Sequence, residues 1–254
     1  MTRILAVAAN TYRETVRERV LYNLVLFAVL MTASGLLMKQ LSIRQDERII
    51  KDVGLAAMEL FGTLIAVFMG VGLVSKEIER RSLYPLLAKP LDRSEFILGK
   101  FVGLGFTLLV NVVVMAAGLY LTLAATHAAF DPNLLKAVYT MFLGLLLVVA
   151  LALLFSALSS SLLAAVGTVI LVVAGRFSDI IRNMRQVAPG TPDWLAQALY
   201  YVLPNFRNFD LKTRVVHFDP VPASDLGWIT LYAVAYLGVV LGLALTVFRS
   251  RDLV

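Results

Sequence analysis

Repeated runs of about 20 consecutive uncharged residues constrain this chain more than anything else in it. A helix of that length crosses the ~30 Å hydrocarbon core of a bilayer, and a soluble core needs no such run. Hydrophobic residues make up 59% of the 254 and charged residues 16%, so the reading is an all-α membrane protein. The runs fall at 21–38, 53–74, 96–125, 137–158, 162–175 and 227–248, which predicts six transmembrane helices. The third, at 1.5 Å per residue, is about 45 Å long and must tilt or protrude. The fifth is too short to cross alone, so it must continue into 176–181 or end inside the protein. An even count puts both termini on one side.

Composition excludes several classes. The chain has no cysteine, which removes disulfides and thiolate metal sites. Four arginines, Arg3, Arg13, Arg17 and Arg19, precede the first apolar run and are interleaved with Glu14 and Glu18, unlike a cleavable signal. A net charge of +6 suits contact with anionic lipid headgroups; without a basic run interleaved with aromatics, nucleic acid is not expected. The two histidines, His127 and His217, lack chelating spacing, and scattered methionines in apolar spans read as packing. No metal or other cofactor is expected on this chain.

Charge bias does not orient it. With the termini and the 76–95 loop on one side, that side carries 12 Lys and Arg and the other 11, so the positive-inside rule is almost silent. Residues 1–19 place Ile4, Leu5, Ala8, Tyr12 and Val16 on one face and Arg13, Glu14, Arg17 and Glu18 on the other. That pattern predicts an amphipathic helix lying along the membrane surface. Residues 176–226 carry short helical patterns. One begins at Thr191-Pro192-Asp193, with Thr as cap and Pro in the first turn. Trp194, Tyr200, Tyr201 and Trp228 suit an interfacial aromatic belt. This segment is either a lid over a path's outer mouth or interfacial packing.

The charged interruption SKEIERRSLYPLLAKPLDRSEFILGK at 75–100 is the richest local signal. Asp92 and Glu95 fit a capping box that starts the third span. Pro90 stops helix continuation and confines 82–89 to about two turns, with Leu83, Leu86, Leu87 and Tyr84 as the apolar face. So short a helix is unstable alone and needs a surface to pack against. That surface is a partner or the membrane itself.

Glu77-x-Glu79, a basic pair, a small polar residue, Leu-x-x-Leu-Leu, Lys-Pro, Asp-Arg-x-Glu-Phe and Gly99-Lys100 together resemble the permeases of type 2 ATP-binding-cassette transporters. The branch concerned with multicopper-enzyme maturation, including nitrous oxide reductase maturation, is the nearest, partly through NFRNFD at 205–210. The resemblance implies one permease domain over 1–254 in a bacterial or archaeal cytoplasmic (inner) membrane, with both termini and the 76–95 loop cytoplasmic. It makes 82–89 a coupling helix docked on separate ABC ATPase subunits, which would hold ATP and Mg. Glu77, Glu79, Arg80, Arg81, Leu83, Tyr84, Leu86, Leu87, Pro90 and Arg93 are then the ATPase-coupling residues. Many members have Gly-Thr where this chain has Arg81-Ser82. The implied partners are a second permease copy, membrane lipids and, in one version, a periplasmic protein.

No catalytic motif is visible, and a phosphate loop is missing because Gly99-Lys100 lacks the upstream Gly and the following hydroxyl. The chain is therefore expected to be no enzyme. Three polar residues within spans are candidates for a gate or path. Glu59 lies about 9 Å past Val53, where it has either a functional role or a pairing with Lys51. Asn111 is mid-span and expected to bond a neighbouring helix. Lys100 is placed to reach the cytoplasmic headgroups. Gly99 and Gly103, and Gly238 and Gly242, are small-xxx-small pairs for close helix packing. The function expected is ATP-driven export by a dimer. The alternative is a mechanotransmission or assembly scaffold that works on a periplasmic partner without moving a solute.

Overall fold

A computed structural model of the chain describes residues 2–17, 26, 27, 29, 46–79, 93–128, 130–182 and 192–250. Nine α-helices are found among these residues: α1 Thr2–Arg17, α2 Asp46–Glu79, α3 Arg93–Ala125, α4 Pro132–Leu158, α5 Ser161–Arg176, α6 Ser178–Arg182, α7 Asp193–Val202, α8 Lys212–Val216 and α9 Ala223–Ser250, with a 3-10 turn at Phe206–Phe209. No strand is found among them. Four helices carry windows long and apolar enough to cross a membrane: Glu47–Gly72, Ser94–Ala125, Pro132–Leu158 and Ala223–Phe248. They correspond to the second, third, fourth and sixth expected spans. Except for 26, 27 and 29, the first expected span lies outside the described residues; Phe27 is buried, edge-on to Phe61 of α2. Arg80, Arg81, Leu83, Tyr84, Leu86, Leu87, Pro90 and Asp92 also lie outside them, while Glu77 and Glu79 belong to the last turn of α2 and Arg93 opens α3.

Helix α4 is the hub. Of its crossing window 72% is buried, against 22% for α9, so α4 is central and α9 peripheral. Its start is well specified by the sequence. Asp131 is the N-cap and accepts from the Asn133 amide at 2.9 Å, and Pro132 occupies the first turn, where a missing N–H costs nothing. It ends where Ser159 turns extended, with its N–H donating to the Phe155 carbonyl. α2 packs closely on α4 near the loop-76–95 end: Ser156 donates to the Val71 carbonyl at 3.4 Å. At that end Phe96 of α3 also stacks on Phe248 of α9 at 6.1 Å. It is called proximal below, and the end with Asp46, Asp131 and Ala223 distal.

Helix α1 packs along the start of α3. A Cβ on Gly99 would touch Val7, one on Gly103 would touch Ala8 and Thr11, and Tyr12 meets Phe106 edge-on at 5.0 Å. The contacts advance in step along both helices, so α1 runs beside the first turns of α3 instead of crossing them. Gly99 and Gly103 are the reason: without side chains they let the two backbones approach closely. The other pair, Gly238 and Gly242, faces nothing within 4 Å among the described residues.

Candidate functional site

The fifth expected span resolves into a half-length helix. α5 has 16 residues, about 24 Å. It leaves α4 at the proximal end and stops at Arg176, whose Nη2 lies 2.8 Å from Oε1 of Glu59. Glu59 is 12 residues from Glu47 and 13 from Gly72, so it sits at the middle of the α2 window. Of the two readings the sequence left open, a functional role or a pairing with Lys51, the pairing is not the one found. Glu59 meets Arg176 and lies deeper in the helix than about 9 Å. The earlier placement counted α2 from Val53, but the helix starts at Asp46.

What fills the distal half above α5 is the chain that follows α7. It descends to meet α5 and then climbs along α2. Gly175 marks the lower contact: a Cβ there would collide with the Pro204 carbonyl oxygen and the Phe206 ring, so only glycine allows the approach. Asn205 ties the junction together. Its Oδ1 accepts from Ser178 at 2.8 Å and from the Arg207 amide at 3.1 Å, and its own amide donates to the Tyr232 hydroxyl at 2.8 Å. Phe206 and Phe209 are buried, and Phe209 packs over Gly144 of α4. This accounts physically for the NFRNFD stretch: a capping Asn and two buried rings that seat a 3-10 turn inside the bundle. The middle part of the 176–226 segment thus enters the protein.

Around the Glu59–Arg176 pair lies a small cavity of about 30 Å³, lined also by Thr63, Asp210 and Lys212. That is room for a water, and the lining offers several polar partners. Thr63 is one turn along α2 from Glu59, and its hydroxyl has no hydrogen-bond partner among the described residues. Lys212 Nζ is 3.5 Å from Asp52, about two turns farther up α2. An intramembrane acid is tolerated when paired, and here the pairing joins α2, α5 and the descending segment. The cluster holds no nucleophile–base pair. Its chemistry is electrostatic: it pins the tip of a half-span to the middle of a full one.

At the distal rim a second ion-pair centre holds the top of the same segment. Lys51 has a fully buried side chain and pairs with both Glu47 and Asp131, each at 2.7 Å. Its Nζ lies 4.3 Å from the centre of the Phe218 ring, a favourable cation–π placement. Phe218 occupies a left-handed turn, φ 61°, which aims the ring back at α2. Asp131 serves as the cap of α4 and the acceptor for Lys51, and its carbonyl accepts from Tyr120 at 2.9 Å.

The remaining candidates are placed as follows. Lys100 is buried, its Nζ 5.4 Å from the centre of the Phe96 ring. Asn111 is buried too, but its amide donates at 2.7 Å to the Thr107 carbonyl of its own helix, not to a neighbour. His217 Nδ1 is 2.9 Å from the Thr213 carbonyl. No cluster of three metal-ligating residues occurs among the described residues. Sequence reasoning missed Arg176 as the partner of Glu59, and Asp210 and Lys212 as lining of the same cavity. The available signal was the fifth apolar run, too short and closed by a cation.

Comparison with curated proteins finds no match for this chain. Comparison with protein families matches residues 5–253 to the family described as ABC-2 family transporter protein. With that match over nearly the whole length and four apolar helices of crossing length, this multi-pass membrane chain belongs to the ABC-2 transporter family, as a permease component.

Proposed function

We propose that this chain is the membrane half of an ATP-driven exporter. It spans the membrane six times, pairs with a second copy, and couples through 82–89 to separate ATPase subunits that bind ATP and Mg. Both termini and the 76–95 loop lie in the cytoplasm of a bacterial or archaeal cell. The chain itself performs no catalysis. The family match over 5–253 carries this reading, and the nitrous oxide reductase maturation branch enters it only through the NFRNFD resemblance.

The fold supplies a route for coupling. α2 and α3 are 34 and 33 residues long, about 50 Å each, and the coupling loop hangs between their proximal ends. Movement of 82–89 acts on the foot of α2, and α2 carries Glu59 at the centre of its span. The Glu59–Arg176 pair then makes or breaks as α2 shifts against the tip of α5. In this reading the pair is a gate contact, and the segment 204–218 is the distal wall of the path.

The test is isolation of the tagged chain from native membranes in mild detergent. A phosphate-loop ATPase should copurify, in a complex with two copies of this chain. Absence of any ATPase while the chain remains folded would sink the proposal. An ATPase complex that shows ATP-dependent rearrangement of 204–218 but no vectorial solute movement in vesicles would favour the mechanotransmission alternative.

A further inference from the structure

Between the descending segment and the first two turns of α9 lies a cleft of about 660 Å³, within the size range of sites that hold small ligands. It adjoins the mid-span cavity of about 30 Å³, with Asp210 and Leu211 shared between the two. Its walls combine Arg207, Arg214, Asp210 and Asp225 with the rings of Trp228 and Tyr232. Two cations and two anions make a balanced lining. Arg214 and Asp225 already meet across the cleft at 2.7 Å, so both signs of charge stand at its mouth.

Depth identifies the kind of molecule that reaches it. Trp228 is five residues beyond Ala223, where the crossing window opens, or about 8 Å along the helix. That is the boundary between headgroups and hydrocarbon, the level at which tryptophan collects. Trp228 is 72% exposed, and farther along the same side of α9 Leu231 and Val239 are exposed as well. A charged cleft thus opens at headgroup depth onto an apolar strip of helix.

We propose that this cleft binds the headgroup of a zwitterionic phospholipid, a phosphate joined to an amine, from the leaflet at the distal end. The phosphate lies toward the Arg207 and Arg214 guanidinium groups, which match its geometry. The ammonium lies over the Trp228 and Tyr232 rings and between Asp210 and Asp225, where cation–π attraction and charge both favour it. The acyl chains run down α9 past Leu231 and Val239. A purely anionic headgroup satisfies the arginines and leaves the aspartates repelled. The inference does not rest on the transport reading, since such a lipid would bind a permease and a scaffold alike.

The test is native mass spectrometry of the full chain, released from nanodiscs of equimolar dioleoyl phosphatidylethanolamine and dioleoyl phosphatidylglycerol. Retained phosphatidylethanolamine should exceed phosphatidylglycerol by about threefold or more, the scale of one exposed cation–π contact. Trp228→Leu and Arg207→Gln should each bring the ratio to parity, and Trp228→Tyr should retain the preference. Soluble O-phosphoethanolamine should not displace the lipid. Parity in the parent chain, or a preference that survives both Trp228→Leu and Arg207→Gln, would overturn the assignment. Displacement by O-phosphoethanolamine would overturn the lipid as the source of the headgroup chemistry.

Discussion

Arg176, the last residue of α5, forms a 2.8 Å ion pair with Glu59 at the centre of the α2 crossing window. A helix that stops halfway through the bundle therefore ends on an acid at mid-span. Removing either partner leaves an uncompensated charge at mid-span. Glu59→Gln and Arg176→Gln should each destabilise the chain by on the order of 1–3 kcal/mol. The double variant should lose less than the sum, because no orphan charge remains. Thermal unfolding in detergent of the three variants measures the coupling, and strict additivity would show that the pair does not hold the two helices together.

Gly175 makes a sharper steric prediction. Its Cα hydrogen faces the Pro204 carbonyl where a Cβ has no room. Gly175→Ala should cost about 1–3 kcal/mol by forcing the descending segment away from α5. In contrast, Gly238→Ala meets nothing within 4 Å among the described residues. Replacing that helical glycine should stabilise it by about 0.5–1 kcal/mol. A large loss at Gly238 would instead reveal a close helix contact made by a second copy. Unfolding curves of both variants, with the oligomer checked by size, separate these outcomes.

Lys51 anchors the upper end of the same segment. Its buried ammonium neutralises Glu47 and Asp131 and supports the Phe218 ring. Lys51→Met leaves two carboxylates facing each other without their cation. The expected cost is about 3 kcal/mol, the lower end for breaking a buried pair. Limited proteolysis should then cut first within 211–222 from the distal side. Unchanged cleavage would mean that the segment is held by its lower contacts, Asn205 and Gly175, alone.

These three relationships mark where the sequence was legible and where it was not. Apolar length gave the fourth and sixth spans within a few residues, because nothing else makes a run of that kind. It misplaced the start of α2, whose first two turns, Asp46 to Asp52, are rich in charge and so read as loop. Those charges are carried into the fold by Lys51, whose partner Asp131 and ring contact Phe218 come from elsewhere, so hydropathy alone had no access to them. The same holds for Glu59: its partner Arg176 is far away in sequence, and no local spacing links them. For α1, amphipathicity correctly gave a helix with one apolar face but not what the face meets. The Gly99 and Gly103 groove on α3 decides that, and it was read correctly as a packing site without its occupant.

The absence of cysteine makes orientation directly testable. A single cysteine at Lys89→Cys should react with a membrane-impermeant maleimide only from the cytoplasmic side of sealed vesicles. One at Asp219→Cys, in the exposed turn beside Phe218, should react only from the opposite side. Labelling of both from one face would overturn the proposed topology.

Coupling through 82–89 is the centre of the account, and one comparison tests it most directly. Leu83→Asp with Leu86→Asp places two charges on the apolar face of the proposed coupling helix while leaving the described bundle untouched. The tagged double variant should retain its thermal unfolding profile and the oligomeric state of the parent chain, yet lose the ATPase expected to copurify with the parent. If the ATPase stays bound at the parent ratio while the chain is folded, the coupling helix is not the docking element and the account is wrong at its core.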